Sequence, residues 1–386
     1  MAVSAMEDSE RRARVALSFL AQPGHPVIGT ALRTRSAAEL LALVTGADAD
    51  GEALLAGQAE GAALSRALPR WRDRLGEVPT VARLAAWQQA GLRVIAPGDA
   101  EWPTQLDDLG DARPLILWAR GAADLRFVCL NSVSMVGSRA ASGYGNHVAL
   151  EIAATLAERG VTVVSGGAFG IDASSHRGAL AGGGSTVAVL AGGLEFGYPR
   201  GHAELFRAVA ADGVLVSECP PGRGPTRPGF LVRNRIIAAL SRGTVVVEAA
   251  LRSGALNSAR HARELCRSVM AVPGPVTSEQ SAGCHELIRD YGAMCVTCAN
   301  DVLDHIGAPG GTGGGLRLGP AVPRDNLDPV TLAVLEELPV RGGRGPASVA
   351  VRAGVDLDTA LRCLGLLAAS GFAERCELGW RARKIA

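Results

Sequence analysis

Residues 132–145 read SVSMVGSRAASGYG, and residues 162–180 read TVVSGGAFGIDASSHRGAL. Each opens on a short β-like run, breaks at glycine and continues with apolar residues at helical spacing. The pattern recurs down the chain. β-Like runs at Ser132–Val136, Thr162–Ser165, Thr186–Leu190, Val214–Ser217, Thr244–Val247 and Ser268–Val272 alternate with helical stretches at Tyr144–Arg159, Ile171–Ala181, Ala203–Ala211, Arg233–Ser241 and Ala255–Cys266. Strands separated by helices pair in parallel, and a parallel sheet needs both faces covered. Right-handed crossovers then predict an α/β, doubly wound, Rossmann-like, mostly parallel sheet.

Outward from this block the pattern changes twice. Before Leu92, helical periodicity dominates, at Arg11–Leu20, Ala37–Val44, Gly51–Arg66 and Val81–Ala90, which predicts a small helical domain over residues 1–92. The sheet domain is expected over 93–306, beginning with LRVIAP and PLILWARG. Residues 307–325, GAPGGTGGGLRLGPAVPRD, have the composition of a flexible linker. Residues 326–386 read as a compact tail, with helices at Pro329–Leu338, Ser348–Ala353 and Asp358–Ser370 and a two-stranded wing. That order is the winged-helix arrangement. Its mixed charge leaves DNA binding and protein contact equally open.

Composition narrows the function. The net charge is +1, so a nucleic-acid site must be a local patch. The only lysine is Lys384, which leaves none for a P-loop, a Schiff base or a lysine general base. The N-terminus has no apolar signal-peptide core and no run of 18 apolar residues occurs, so a cytoplasmic protein with reduced thiols and no membrane span is expected. Cys295-Val-Thr-Cys298 has CxxC spacing but no second ligand pair, and no metal or cofactor is expected. No GxSxG elbow, HExxH, or paired carboxylate cluster appears, so no catalytic residue is assigned.

The Gly-rich stretches follow strands, where open α/β sheets bind ligands. Gly137 turns the chain, and Ser138 and Arg139 follow at the strand end, as an anion site or as a structural loop. Ser165, Gly166 and Gly167 leave room for close backbone approach, while Asp172 reads as a helix-start carboxylate and His176 as a structural histidine. In Ala191–Arg200, Tyr198 and Pro199 are expected to pack rather than to stack on a base. The stretch SECPPGRGPTRPGFLVRNR, 217–235, places Phe230 among Arg223, Arg227, Arg233 and Arg235. Arginines follow phosphates and an aromatic face stacks on an unpaired base, a combination that favours single strands. After the next strand come a carboxylate, Glu248, and a Ser253-Gly254 helix start.

Taken in order, VGSRAASGYG, VVSGGAFGIDASSHRGAL, AVLAGGLEFGYPRGH, SECPPGRGPTRPGFLVRNRIIAALS, VVVEAALRSGALNSARHA and AVPGP resemble the DprA/Smf family of DNA-processing proteins over about residues 130–280. The helical N-terminal region, SAM-like, and the winged tail look like attachments of that family. The resemblance implies an extended Rossmann fold, a homodimer, single-stranded DNA binding, and loading of RecA in natural transformation and recombination, without catalysis. It implies phosphate contacts at Arg139 and Arg227, a base-stacking Phe230, and a narrow pocket at Gly166 and Gly167, with Asn234 in the same segment. The chain departs from the family pattern at Gly167, where SGLA has Leu, at Leu231, where Pro usually follows the Phe, and at Cys284-His285. A phosphoribohydrolase is the enzyme alternative, with Glu248 at its centre, but the PGGxGTxxE stretch of that class is missing. A duplex-binding regulator acting through the tail is the other.

Overall fold

A computed structural model describes residues 2–46, 59–307 and 323–383, so most of the expected 307–325 linker and much of the Gly51–Arg66 helix lie outside the described residues. The chain divides into two compact units, Met1–Gly314 and Gly315–Ala386.

The first unit is built on a sheet whose described strands run in the order β1-β2-β6-β5-β4-β3-β7-β8-β9. They are β1 (Arg93–Ile95), β2 (Leu117–Arg120), β3 (Ser132–Val136), β4 (Thr162–Ser165), β5 (Thr186–Leu190), β6 (Val214–Ser217), β7 (Gly243–Val246), β8 (Ser268–Ala271) and β9 (Met294–Cys295). From β6 to β9 every pairing is parallel, whereas β1 and β2 add an antiparallel edge. The stretch β5-β4-β3-β7-β8-β9 has the 3-2-1-4-5-6 order of a dinucleotide-binding fold, extended on one side, so the fold is Rossmann-like. Its winding reverses between β3 and β7, which pair as Ser134↔Thr244, Met135↔Val245 and Val136↔Val246. At such a reversal the connections leave in opposite directions and open a crevice at the carboxyl ends.

The strands place alternate residues on the two layers. Val133, Met135, Val163 and Val245 pack against α7 (Gly143–Glu158), α8 (Ile171–Ala181) and α13 (Ala299–Ile306). Val136, Val164, Val187, Val189 and Val246 pack on the other face, against α10 (Arg227–Ala239), α11 (Gly254–Glu264) and α12 (Glu279–Asp290). The alternation SVSMV would suit a strand with one wet face, yet β3 is wholly buried. Its serines are satisfied inside: Ser134 Oγ donates to the Ile237 carbonyl at 2.7 Å and Ser132 Oγ to that of Leu240 at 2.9 Å. These are carbonyls at the end of α10, where a helix lacks internal partners.

Helix α10 starts at Arg227, six residues before the expected Arg233. Thr226 caps it, its Oγ accepting from Gly229 N at 3.1 Å, and Pro228 sits in the first turn, where the missing N–H costs nothing. Pro228 and Gly229 thus belong to the first turn of a helix, and Phe230 stands on it.

Among the described N-terminal helices, α1 (Ala2–Leu20) serves two cores. Leu17 and Leu20 pack with α3 (Ala37–Thr45) and α4 (Ala59–Arg72), while Val15 and Phe19 pack on Trp118 of β2. Helix α2 (Pro26–Ala31) carries too short an apolar pattern to show in the sequence. Helices α5 (Val81–Gln89), α6 (Leu125–Cys129) and α9 (Ala203–Asp212) complete this unit's described α-helices.

In the second unit the described residues form α14 (Pro329–Glu336), α15 (Pro346–Ala353) and α16 (Leu357–Ala369), then a hairpin of β10 (Ala373–Cys376) and β11 (Gly379–Ala382). Val334, Val349, Leu364, Leu367 and Phe372 make its core. No described helix is long and apolar enough to cross a membrane.

Candidate nucleic-acid interface

The crevice between β3 and β7 is a cavity of about 420 Å³. Gly137, Ser138 and Arg139 form one wall, directly after β3; Arg252, Ser253 and Gly254 form another, at the start of α11; Phe230, Arg233 and Asn234 of α10 form a third. Backbone bonds splice these loops together. Ser138 N donates to the Glu248 carbonyl at 2.7 Å, and Ile171 N donates to the Ser138 carbonyl at 3.1 Å. Asn234 Nδ2 reaches the Gly254 carbonyl at 3.2 Å, tying α10 to α11. Ser253 caps α11, accepting from Ala255 N at 3.2 Å, so the first turn of that helix faces the cavity with its positive dipole end. The lining carries three arginines, Arg139, Arg233 and Arg252, and one carboxylate residue, Asp172.

The rim is open. Arg139 is exposed, and its guanidinium lies over the Phe230 ring, 4.6 Å from the centroid. Tyr198 approaches the same ring, with centroids 5.7 Å apart, and is itself 48% exposed. Tyr198 thus packs on Phe230 and keeps about half of its surface open to solvent. Arg227, one helical turn before Phe230, is exposed but is not among the residues lining the cavity.

The floor is closed. Arg233 is buried and its Nη1 donates to the carbonyls of Gly166, at 2.7 Å, and Val189. Gly166 is glycine because of this: a Cβ there would stand 2.3 Å from Arg233 Nη1. Burial lowers Arg233 to about 10, an effect the Asp172 charge opposes. Burial likewise raises the Asp172 carboxyl above the usual carboxylate range, against the pull of Arg233 and of the Ala168 and Gly166 N–H groups. Each charge is the other's main compensation in a dry site. Behind them His176 Nδ1 lies 2.8 Å from Thr186 Oγ, whose own proton goes to the Val163 carbonyl at 2.6 Å. Burial and the nearby cations push His176 down to about 3, so it is neutral and donates through Nδ1.

Other singled-out residues face elsewhere. Ser165 Oγ donates to the Met135 carbonyl at 2.6 Å, inside the sheet. Gly167 has φ +69°, and a Cβ there would meet the Phe206 ring at 2.6 Å, so it fits against α9 rather than the cavity. Arg235 is buried in a two-pronged pair with Glu218, at 2.8 and 2.9 Å, and Glu218 also accepts from Gly24 N. Glu248 accepts from Ser142 N and Ser142 Oγ at 2.9 and 2.6 Å, which holds the start of α7. Sequence reasoning passed over Arg252 and Gln280, which line the cavity, and Phe169, exposed beside it. Arg252 stands next to the Ser253 cap, a signal that could have found it; Gln280 has none, because α12 is distant in sequence.

A family model for DNA recombination-mediator protein A matches residues 93–307, the sheet that carries this cavity. The chain belongs to that family, DprA/Smf. A DprA of Mycobacterium tuberculosis is 47% identical over 302 residues, covering 75% of this chain and 77% of its own. Protein Smf of Escherichia coli is 42% identical over 222 residues, covering 57% and 58%. The crystal structure of DprA from Streptococcus pneumoniae superposes with a TM-score of 0.56 at 35% identity, over 63% of this chain and 84% of that one. A DprA structure from Helicobacter pylori, described for its single-stranded DNA binding mode, gives a TM-score of 0.50 at 27% identity, over 55% and 94%. The DprA/Smf match thus takes in all of the cavity walls.

Proposed function

We propose that this DprA/Smf chain captures single-stranded DNA in the β3/β7 cavity and loads RecA onto it, as a cytoplasmic homodimer acting in natural transformation and recombination, without catalysing a reaction. The observation that carries the reading is Arg139 over Phe230 at the cavity mouth, 4.6 Å apart. A guanidinium suits a phosphate and an aromatic face suits a base; duplex DNA hides the base face, so the pair favours a single strand. Gly137, the Ser138 hydroxyl, and the helix start at Ser253 and Gly254 add groups for the phosphates, and Arg227 extends the positive rim. Arg233 and Asn234 hold the walls. The binding mode described for the Helicobacter pylori relative supports the same ligand.

Glu248 fits a binding site better than a hydrolytic one, since both of its oxygens are engaged by Ser142. The tail, read as a winged helix, is a weaker DNA candidate. Its last helix exposes Leu357, Leu361 and Leu366 and carries Arg362 as its single basic residue.

The test is fluorescence anisotropy with labelled dT and a matched duplex at two salt concentrations, for the full chain and Arg139→Ala. Single-strand-selective binding with a log–log salt slope near about −3, as about four phosphate contacts require, supports the reading. Duplex preference, or indifference to Arg139, refutes it.

A further inference from the structure

A run of rings leaves the cavity at its rim. From Phe230 it passes to Tyr198, then along the short turn Pro199–His202, to Phe169. Phe169 is 51% exposed although it stands between Ala168, which lines the cavity, and Gly170, which abuts the backbone of Ser138 and Arg139. Its ring is held. The edge of the buried His202 ring meets it at 4.5 Å between centroids, and His202 Nδ1 donates to the Gly167 carbonyl at 3.1 Å. His202 packs in turn on Phe206, at 6.0 Å. A lone exposed phenylalanine is ordinary; one fixed on a buried pedestal and continuous with a second half-exposed ring is a surface prepared for a flat partner. The exposed cations beside it, Arg139 and Arg200, set the charge such a partner carries.

We propose that Phe169 on its His202 pedestal, with Tyr198, forms a second base-stacking subsite, so that a bound strand occupies the cavity and then lies along this rim. The inference rests on the single-strand reading above and extends it. The occupant is an unpaired base of a strand whose neighbouring phosphates meet Arg139 and Arg200. Stacking is indifferent to base identity, so the subsite adds affinity without sequence preference.

The experiment uses the full chain with a dT oligonucleotide of roughly 16 nucleotides, the upper range for such sites. A second oligonucleotide of equal length keeps its central bases and is abasic on both flanks. Phe169→Leu keeps an apolar side chain and removes the ring; Phe169→Tyr keeps the ring. Phe169→Leu is expected to weaken dT binding by about 5- to 150-fold, the range for one stacked base, with the salt slope unchanged. Phe169→Tyr is expected to bind as wild type. On the flank-abasic strand the wild type is expected to lose the same factor and Phe169→Leu to cost nothing more, a coupling that a loss of folding would not produce. Equal wild-type affinity for the two strands overturns the subsite without recourse to any variant. If Arg139→Ala weakens binding while Phe169→Leu does not, the rim subsite alone fails. If the wild type prefers duplex, or Arg139→Ala changes nothing, the single-strand reading fails and the subsite with it.

Discussion

Arg233 and Arg139 stand on the same cavity, one in its floor and one on its rim, and their surroundings differ in every respect. Arg233 is sealed on two backbone carbonyls, within electrostatic reach of the Asp172 carboxyl, and a glycine is needed to let it pass. Arg139 is exposed and lies over a ring face. A sealed charge cannot turn to a ligand without abandoning buried polar groups, which costs several kcal/mol. An exposed one can do so freely. The same residue type therefore serves as architecture in one place and as a ligand contact in the other, and burial distinguishes them.

The largest expected effect tests the floor. Arg233→Ala leaves two buried carbonyls without their donor and removes the nearby cation that offsets the Asp172 charge, and should lower stability by about 3–5 kcal/mol, read as a shift in urea midpoint. Arg235, two residues on, should behave alike when its pair with Glu218 is broken, but with single-strand affinity retained in the protein that remains folded. A destabilised Arg235→Ala that also binds no DNA would erase the distinction between the cavity and the buried Arg235–Glu218 pair.

Next comes a pH effect behind the floor. His176 in the folded chain sits at about 3, below its ordinary value of 6.5. Its contribution is therefore fully present above about pH 6.5 and is lost as pH falls toward 3, because the unfolded chain takes up a proton that the folded chain refuses. One proton corresponds to about 1.4 kcal/mol per pH unit. Asp172 acts oppositely: its raised value makes its contribution complete at low pH and lost as pH rises through it. Urea midpoints from about pH 5 to 7.5 should fall toward acid in an Asp172→Asn background, and His176→Gln should flatten that fall. An unchanged slope would mean that His176 is not the buried neutral group described.

The rim effects are smaller in stability and show in binding. Arg139→Ala should leave the urea midpoint unchanged, weaken dT binding by about 10- to 100-fold, and reduce the salt slope by about 0.7, the share of one phosphate on a single strand. Arg227→Ala, farther from the cavity, should cost a few-fold with a similar change in slope. Were Arg139→Ala destabilising and Arg233→Ala neutral, the assignment of floor and rim would be reversed.

The parallel strands from Ser132 to Ala271 were legible because β-branched runs bounded by glycine have few other solutions. The start of α10 was not: Thr226, Pro228 and Gly229 carry both turn and cap signals, and only the hydrogen bond from Gly229 N to Thr226 decides between them. Of the candidate site, Gly137, Ser138, Arg139, Phe230, Arg233, Asn234, Ser253 and Gly254 come together around one cavity. Ser165, Gly167 and Arg235 turn away from it, because orientation within a strand end or helix depends on which layer lies opposite. Phe169 was hidden in plain view within SGGAFGID, its exposure invisible to any local pattern.

The sequence by itself determined the family, the order of strands and helices, and the kinds of group at each strand end, since these follow from residue type and spacing. Tertiary structure decided which of five arginines in or next to two short segments can meet a ligand. It paired Arg235 with Glu218, which also accepts from Gly24 N, sealed Arg233 under Gly166, and left Arg139 open above Phe230. The physical reason is that charge type is written in the side chain, while access to water is set by neighbours brought from distant parts of the chain.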